Sequence, residues 1–278
     1  MLSTDDHRRD SAGLRYVYPV VSRRAGGVSL GINLNPNNAC NWACVYCQVE
    51  GLQRGGPPPL DLRQLAGELD GFLDELLDGD FLQRAVPEGA RRLVDVAFSG
   101  NGEPCSAPEF AEAVATVATV LRHHHLVGKI PLRLITNGSL LHRPAVQAGI
   151  VQLAELGGEV WFKIDRALPD EVALINGVPG DVERVGRHLA QCVDLAPTWV
   201  QTCWFAMDGV LPGEASQLAY CDLLRPLAGR LAGVHLYGLA RPSMQSAAPR
   251  LNRLSVLDLQ RFARRVEKET GIRVIVSP

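Results

Sequence analysis

The chain has 278 residues, of which 46% are hydrophobic, and it carries a formal net charge of −2. This length allows one large hydrophobic core, and the charge provides no field that would draw the chain onto nucleic acid or a membrane. The first thirteen residues contain no apolar segment typical of a signal peptide, and no apolar run reaches the roughly 18 residues that span a bilayer. We therefore expect a cytoplasmic location, where the seven cysteines stay reduced and are available as metal ligands.

Short apolar segments alternate with amphipathic segments from Gly27 onward. The apolar segments are β-rich and nearly continuous, which is typical of parallel strands that are covered on both faces. The predicted strands are residues 28–33, 93–98, 131–136, 159–165, 199–206, 233–239 and 273–276. Alternation of strands and helices at this spacing predicts a parallel sheet, either open or curled into a full or partial barrel.

Three of the intervening segments carry helix signals. Apolar residues at three- and four-residue steps form one stripe, which consists of Leu62, Leu65, Leu69, Phe72, Leu73 and Leu76. Ser106 and Glu109 have the spacing of a capping box at the start of a second helix. Ser255 and Asp258 repeat this spacing before the last predicted helix, which we expect to end at Gly271.

Polar and small residues follow several of the predicted strands. In parallel α/β folds the active site lies at the carboxyl ends of the strands, which meet at one edge of the sheet. The residues placed there are the cysteine cluster, Ser99–Glu103, Thr136–Gly138, Asp165 and Arg241. We therefore expect these groups to contribute to one site.

Cys40, Cys44 and Cys47 have the spacing C-x3-C-x2-C. Thiolates are the ligands that iron–sulfur clusters and zinc favour. Three thiolates in an eight-residue loop can hold three corners of a cuboidal cluster and leave one iron without a protein ligand, which suits a substrate or cofactor site. The alternative is a structural zinc site with a distant fourth ligand, although no second C-x2-C or H-x3-H lies nearby to complete it.

The cysteine loop resembles the signature of the radical S-adenosylmethionine (SAM) superfamily, C-x3-C-x-aromatic-C, with Tyr46 at the aromatic position. The longer stretch GINLNPNNACNWACVYCQVEGL is similar to the wyosine-type radical SAM oxidoreductases. The resemblance implies an α/β fold, a partial (β/α)6-type TIM barrel of parallel strands with the cluster loop after the first strand. We expect an N-terminal extension over residues 1–27 and a single partial-barrel domain over residues 28–278.

The resemblance implies roles for the residues around the first glycine-rich turn. Gly100, Asn101, Gly102 and Glu103 resemble the family motif that binds the amino group of the SAM methionine. Glycines allow close backbone approach, and a carboxylate accepts hydrogen bonds from an ammonium group. Tyr46 would lie against the adenine of SAM. The alternative for the turn is a tight connection that carries a surface glutamate.

The later strand ends have weaker signals. Thr136 and Asn137 begin a turn that in the family contacts the ribose or carboxylate of SAM, although Asn-Gly is also a common turn dipeptide. Lys163 and Asp165 resemble strand ends that contact SAM or substrate, and the alternative is that the charged residues 163–166 are solvated. Arg241 would direct a bidentate cation at a carboxylate or phosphate, or would pair with a neighbouring loop carboxylate.

The resemblance implies an enzyme with a [4Fe–4S] cluster and SAM as cofactors. Reductive cleavage of SAM would yield a 5′-deoxyadenosyl radical that abstracts hydrogen from a small-molecule or peptide substrate, with a flavodoxin- or ferredoxin-type protein as electron donor. A tRNA-modifying enzyme is an alternative, although the acidic charge balance disfavours nucleic-acid binding. A second alternative is a non-catalytic protein in which the three cysteines bind a metal.

Overall fold

The structure is a computed structural model that describes residues 2, 12–22 and 26–277. Much of the predicted N-terminal extension lies outside the described residues. Within them, the strands are β1 (Val17–Ser22), β2 (Gly27–Ile32), β3 (Ala39–Cys40), β4 (Gln53–Arg54), β5 (Leu93–Phe98), β6 (Leu132–Thr136), β7 (Glu159–Lys163), β8 (Thr198–Cys203), β9 (Ala206–Met207), β10 (Gly233–Tyr237), β11 (Leu251–Asn252) and β12 (Val274–Ser277).

In the same described part of the chain, the helices are α1 (Leu62–Leu77), α2 (Phe81–Ala85), α3 (Phe110–His123), α4 (Pro144–Glu155), α5 (Pro169–Asn176), α6 (Val182–Leu195), α7 (Glu214–Leu224) and α8 (Val256–Thr270). Short 3-10 helices lie at Glu88–Ala90, Pro104–Ser106, Arg225–Leu227 and Ala248–Arg250. Each predicted strand is present, as β2, β5, β6, β7, β8, β10 and β12. The strand β1 was not predicted, because it precedes the region where the alternation of elements begins.

The chain divides into two compact units, and each is described by itself. The first unit consists of the residues up to Asn41, Gly55–Thr136 and His142–Glu159. The second unit consists of Trp42–Arg54, Asn137–Leu141 and the residues from Val160 onward. The expectation of a single domain over residues 28–278 stays a prediction.

In the first unit the strands lie in the order β1-β2-β5-β6. The strand β1 is antiparallel to β2, whereas β2, β5 and β6 are parallel to one another. Helix α1 packs against β1 and α3, and α3 packs against α4. The predicted stripe of α1 forms its buried face, through Leu65, Leu69, Phe72, Leu73 and Leu76. The burial of this stripe supplies the apolar contacts that hold the helix on the unit.

In the second unit β7, β8, β10 and β12 lie in this order, and neighbouring strands are parallel. Helix α8 packs against β10, β12 and α7. The predicted start of α8 is confirmed, because the Ser255 hydroxyl accepts a hydrogen bond from the Asp258 backbone N–H at 3.1 Å. Its end at Gly271 is also confirmed, since Gly271 adopts the left-handed conformation with φ of 74°.

The predicted capping box of Ser106 and Glu109 is wrong. Ser106 belongs to a 3-10 turn, where its hydroxyl donates to the Glu103 carbonyl at 2.6 Å and accepts from the Asn35 side-chain amide at 3.1 Å. Helix α3 begins at Phe110, with Glu109 as its N-cap residue and no side-chain cap hydrogen bond. The longer-range contact with Asn35 therefore takes the hydroxyl that the capping box would need.

Among the described residues, no helix is both long enough and apolar enough to cross a bilayer.

Candidate active site

In the first unit, buried asparagines hold the segment that leads to the first cysteine. Asn35 is buried, and its side-chain N–H donates to the carbonyl of Ala39 at 3.0 Å. The Asn33 side-chain oxygen accepts from the backbone N–H of Asn35 and of Asn101, each at 3.1 Å. These bonds tie the backbone before Cys40 to the turn after β5, in which Asn101 lies.

The glycines of that turn are required by close contact with the same segment. A Cβ atom on Gly100 would lie 2.4 Å from the side-chain oxygen of Asn33, and Gly100 has a φ of +134°, which L side chains rarely adopt. A Cβ atom on Gly102 would lie 2.1 Å from the carbonyl oxygen of Ala39. The structure therefore brings the predicted glycine-rich turn into direct contact with the residue before Cys40.

Glu103 and Thr136, which are both predicted SAM-binding residues, are hydrogen-bonded to each other. The Thr136 hydroxyl donates to Glu103 Oε1 at 2.6 Å, and the Cys105 backbone N–H donates to the same oxygen at 3.1 Å. Glu103 is only 3% exposed and Thr136 only 1%. The carboxylate is thus held in one orientation, and the alternative of a surface glutamate is wrong.

In the second unit, the other two cysteines lie on a loop that caps the end of α5. The backbone N–H groups of Ala43 and Val45 donate to the carbonyls of Asn176 and Ile175, at 3.0 and 2.8 Å. Because the last carbonyls of a helix have no partner within the helix, this loop supplies the donors that they lack. The loop that carries Cys44 is therefore fixed to the end of a helix.

A second segment of this unit, Ser243–Gln245, fixes the other side of the loop. The Ser243 hydroxyl donates to the Val45 carbonyl at 2.7 Å, and the Met244 N–H donates to the Cys47 carbonyl at 2.9 Å. The Gln245 side-chain amide donates to the Cys47 carbonyl at 3.2 Å. The Cys47 carbonyl thus receives two donors, and the backbone around Cys44 and Cys47 is held both by the end of α5 and by Ser243–Gln245.

Hydrogen bonds connect the aromatic position of the cysteine loop to one of its sulfurs. The Tyr46 hydroxyl donates to Asp165 Oδ2 at 2.5 Å, and the Asn176 amide donates to the same oxygen at 2.9 Å. The Asn176 amide also donates to Cys44 Sγ at 3.3 Å. The Cys203 backbone N–H donates to Asp165 Oδ1 at 2.9 Å. Tyr46 and Asp165, which were predicted separately, therefore form one buried network with Cys44.

Burial dominates the electrostatics of this network. It raises the pKa of the Cys44 thiol to about 12, which Lys163 and the hydrogen bond from Asn176 oppose. Burial lowers the pKa of Lys163, but the acidic groups of Tyr237 and Asp165 outweigh it and the pKa lies above its ordinary value. The Lys163 ammonium lies 5.1 Å from the centre of the Tyr46 ring. Lys163 is consequently a cation at neutral pH, and a metal that binds Cys44 has to displace the thiol proton.

The alternative that residues 163–166 are solvated is wrong for Asp165 and Arg166, which are 1% and 5% exposed. The Arg166 guanidinium donates to the carbonyls of Asp165 and Phe205, at 2.7 and 3.0 Å. It also lies 4.3 Å from the centre of the Trp204 ring. These contacts give Arg166 a packing role next to the candidate site.

The remaining predicted residues, Asn137 and Arg241, also lie in the second unit. Asn137 is buried, and its side-chain oxygen accepts from the N–H and the hydroxyl of Ser139, at 3.0 and 2.7 Å. Asn137 therefore closes its own turn. Arg241 is half-buried on the loop after β10, just before the segment Ser243–Gln245 that holds the cysteine loop.

The cysteines fit a role as ligands of a soft metal centre. All seven lie within the described residues and none forms a disulfide, and Cys40, Cys44 and Cys47 are half-buried whereas the others are buried. A free thiol that is partly accessible and held by a fixed backbone suits a cluster ligand, and a sulfur that accepts an N–H hydrogen bond is typical of iron–sulfur proteins. The residues present are therefore compatible with an iron–sulfur cluster.

Four residues that hold the site together are not part of the motifs named above. Asn33 and Asn35 belong to the asparagine-rich run before Cys40, and this run is their only sequence signal. Asn176 and Ser243 have no local signal, because they are distant in sequence from the cysteine loop that they contact.

The curated relatives match only parts of their own length. No protein-family model matches the chain. A GTPase Obg from Brachyspira hyodysenteriae is 27% identical over 133 residues, which are 48% of this chain and 17% of that protein. A probable GTP 3′,8-cyclase from Methanosarcina mazei is 24% identical over 205 residues, which are 72% of this chain and 52% of that protein. The chain thus spans about half or less of the length of these relatives.

Solved structures match nearly the whole chain. TYW1 with a lysine-pyruvate adduct bound has a TM-score of 0.62 at 14% identity, and the match covers 97% of this chain and 80% of the TYW1 chain. A radical SAM methyltransferase from Sphaerobacter thermophilus has a TM-score of 0.58 at 17% identity, with coverages of 94% and 68%. SuiB from Streptococcus suis, bound to S-adenosylmethionine, has a TM-score of 0.56 at 11% identity, with coverages of 91% and 48%. The chain therefore shares the fold of these radical SAM proteins, which confirms the predicted α/β partial-barrel fold class.

Proposed function

We propose that the chain is a radical SAM enzyme in which Cys40, Cys44 and Cys47 hold a [4Fe–4S] cluster and SAM binds at its fourth iron. When bound, this pair of cofactors supplies a 5′-deoxyadenosyl radical, which abstracts hydrogen from a small-molecule or peptide substrate. One observation carries the proposal, the contact of Gly102 with the carbonyl of Ala39, the residue before Cys40. This contact supports the proposal because the turn that leads into the buried Glu103 lies against the residue before the first cysteine. The radical SAM fold supports the same conclusion.

Gly100, Asn101, Gly102 and Glu103 are proposed to hold the amino-acid part of SAM. Gly100 and Gly102 let the turn that carries Asn101 pack against the segment before Cys40. Glu103, oriented by Thr136, accepts hydrogen bonds from the ammonium group of SAM. A charge-assisted bond to a fixed carboxylate costs little reorganisation, because the carboxylate is already oriented before the ligand binds.

Tyr46 and the groups around its ring are proposed to hold the nucleoside part of SAM. Tyr46 packs edge-on against Phe205, with ring centres 5.7 Å apart, and its hydroxyl is fixed by Asp165. A ring held in this way gives a rigid apolar surface for an adenine. Lys163 supplies positive charge next to this ring, and Asn137 and Arg241 are proposed to contact the ribose and an anionic group of SAM or substrate.

The proposed reaction needs one electron at low potential. Clusters of plant-type ferredoxins work near about −400 mV, and a flavodoxin- or ferredoxin-type protein is the proposed donor. The proposed location is the cytoplasm, where free thiols such as those of Cys40, Cys44 and Cys47 stay reduced.

Anaerobic reconstitution with iron and sulfide tests the proposal. We expect about four iron and four sulfide ions per chain, and release of 5′-deoxyadenosine when SAM and dithionite are added. Single variants Cys40→Ala, Cys44→Ala and Cys47→Ala should lose the product, whereas the buried thiol variant Cys192→Ala should keep it. A wild-type chain that keeps zinc and no iron, or equal losses in Cys192→Ala, would contradict the proposal.

A further inference from the structure

Asn176 is the last residue of α5, and its side chain lies between a cysteine sulfur and a carboxylate. It is 2% exposed, and its Nδ2 donates to Cys44 Sγ at 3.3 Å and to Asp165 Oδ2 at 2.9 Å. An amide nitrogen carries two hydrogens, so each of them has one acceptor. A rotated amide would face its oxygen toward the carboxylate, which only accepts, and the orientation of the amide is therefore determined by its partners.

The backbone around Asn176 prevents this contact from relaxing. The Asn176 carbonyl accepts from Ala43, and the Ile175 carbonyl accepts from Val45, so the two residues on either side of Cys44 are bound to the end of α5. Gly177 ends the helix with a φ of +65°, and a Cβ atom there would lie 3.0 Å from the Ala43 carbonyl oxygen. The backbone hydrogen bonds of Ala43 and Val45 thus fix the position of the Asn176 side chain next to the Cys44 sulfur.

We propose that Asn176 is a positioning residue that donates an N–H hydrogen bond to the cluster-bound sulfur of Cys44 and raises the reduction potential of the cluster. This inference rests on the proposed function. A hydrogen bond to a ligand sulfur becomes stronger when the cluster takes up an electron, because the negative charge on the sulfur increases. The bond therefore stabilises the reduced form more than the oxidised form.

The other partner of the amide adds to this role. Asp165 Oδ2 also accepts from the Tyr46 hydroxyl, and Asp165 Oδ1 accepts from the Cys203 N–H. A carboxylate bound on both oxygens cannot turn away from Asn176, and polar groups in a buried network orient one another. Asp165 therefore holds the amide that faces the sulfur, and Tyr46 holds Asp165.

The test compares variants of the full chain after anaerobic reconstitution. Asn176→Ala and Asn176→Leu remove the donor, whereas Asn176→Gln keeps an amide N–H on a longer side chain. Thr202→Val is the matched control, because Thr202 is equally buried in the same unit and its hydroxyl bonds Ile164 and Tyr220 rather than the cysteine loop. The readouts are the iron content, the cluster potential from a spectroelectrochemical titration, and the electron paramagnetic resonance (EPR) spectrum of the reduced cluster.

We expect Asn176→Ala and Asn176→Leu to shift the potential to more negative values, or to lose iron where the cluster no longer forms. Asn176→Gln should restore part of the potential or of the iron content, and Thr202→Val should lower thermal stability alone. Wild-type potential and iron content in Asn176→Ala and Asn176→Leu would overturn the inference. The inference would also be overturned if Asn176→Gln or Thr202→Val changed the potential and the iron content as much as Asn176→Ala does. If the wild-type chain takes up no iron, the proposed function fails first, and the inference fails with it.

Discussion

The substitution Gly102→Ala tests the contact on which the proposed function depends. The added methyl would lie 2.1 Å from the Ala39 carbonyl oxygen and 2.6 Å from the Asn35 side-chain carbon, so the backbone before Cys40 has to move. Overpacking of this kind costs about 1–3 kcal/mol. At about 2–4 °C per kcal/mol for a chain of roughly this length, the melting temperature should fall by roughly 2–12 °C. Because Ala39 precedes Cys40, the reconstituted iron content should fall as well.

Gly67→Ala is the matched control, measured by calorimetry and iron analysis beside Gly102→Ala. Gly67 lies within α1, and beyond its chain neighbours and the backbone of its own helix no atom lies within 4 Å of a Cβ built there. Alanine is favoured over glycine in a helix by roughly 0.5–1 kcal/mol, so this variant should melt slightly above the wild type and keep its iron. A Gly102→Ala protein with wild-type melting temperature and iron content would refute the close contact of the turn with the cysteine loop.

Three further variants can be measured by guanidinium unfolding. Arg166→Ala should lower the free energy of unfolding by about 2–4 kcal/mol, because the buried guanidinium stacks on Trp204 and donates to two carbonyls. An unchanged unfolding midpoint would show that these contacts do not stabilise the fold. Asp165→Asn should lower the free energy of unfolding by about 1–3 kcal/mol. An amide has only one oxygen, so it cannot accept from both the Tyr46 hydroxyl and the Cys203 N–H as the two carboxylate oxygens do. A variant as stable as the wild type would contradict this hydrogen-bond network. Leu69→Ala should lower the free energy of unfolding by about 2–5 kcal/mol, because Leu69 is a fully buried residue of α1. A smaller loss would indicate that the surrounding side chains move into the cavity.

The regular part of the fold is predictable because its signals are local. The continuous apolar run at 93–98 is β5, and the three- and four-residue spacing of leucines from Leu65 to Leu76 is the buried face of α1. The same holds for both ends of α8, because Ser255 and Asp258 form its start and Gly271 forms its end without a distant partner. A local pattern suffices where no distant residue competes for the same atoms.

Distant partners explain what the sequence did not predict. Ser106 has the spacing of a cap, but its hydroxyl bonds Asn35, 71 positions away. Arg166 lies close to the charged residues Lys163 and Asp165 in the sequence, which suggested exposure to solvent. In the structure its guanidinium lies over the rings of Trp204 and Phe205. Asn176 lies 132 positions from Cys44, and no spacing rule connects them. The cysteines and glycines of the candidate site were predictable from motif spacing, whereas the residues that orient them depend on the tertiary fold.

In the proposed function, Cys40, Cys44 and Cys47 hold a [4Fe–4S] cluster with one iron open to SAM. The most direct test is the EPR spectrum of the reconstituted, dithionite-reduced wild-type chain before and after SAM is added. We predict the spectrum of a reduced [4Fe–4S] cluster, whose shape changes on addition of SAM because a new ligand reaches the open iron. A spectrum that SAM leaves unchanged, or X-ray absorption that shows tetrahedral zinc on the cysteine sulfurs, would contradict the claim.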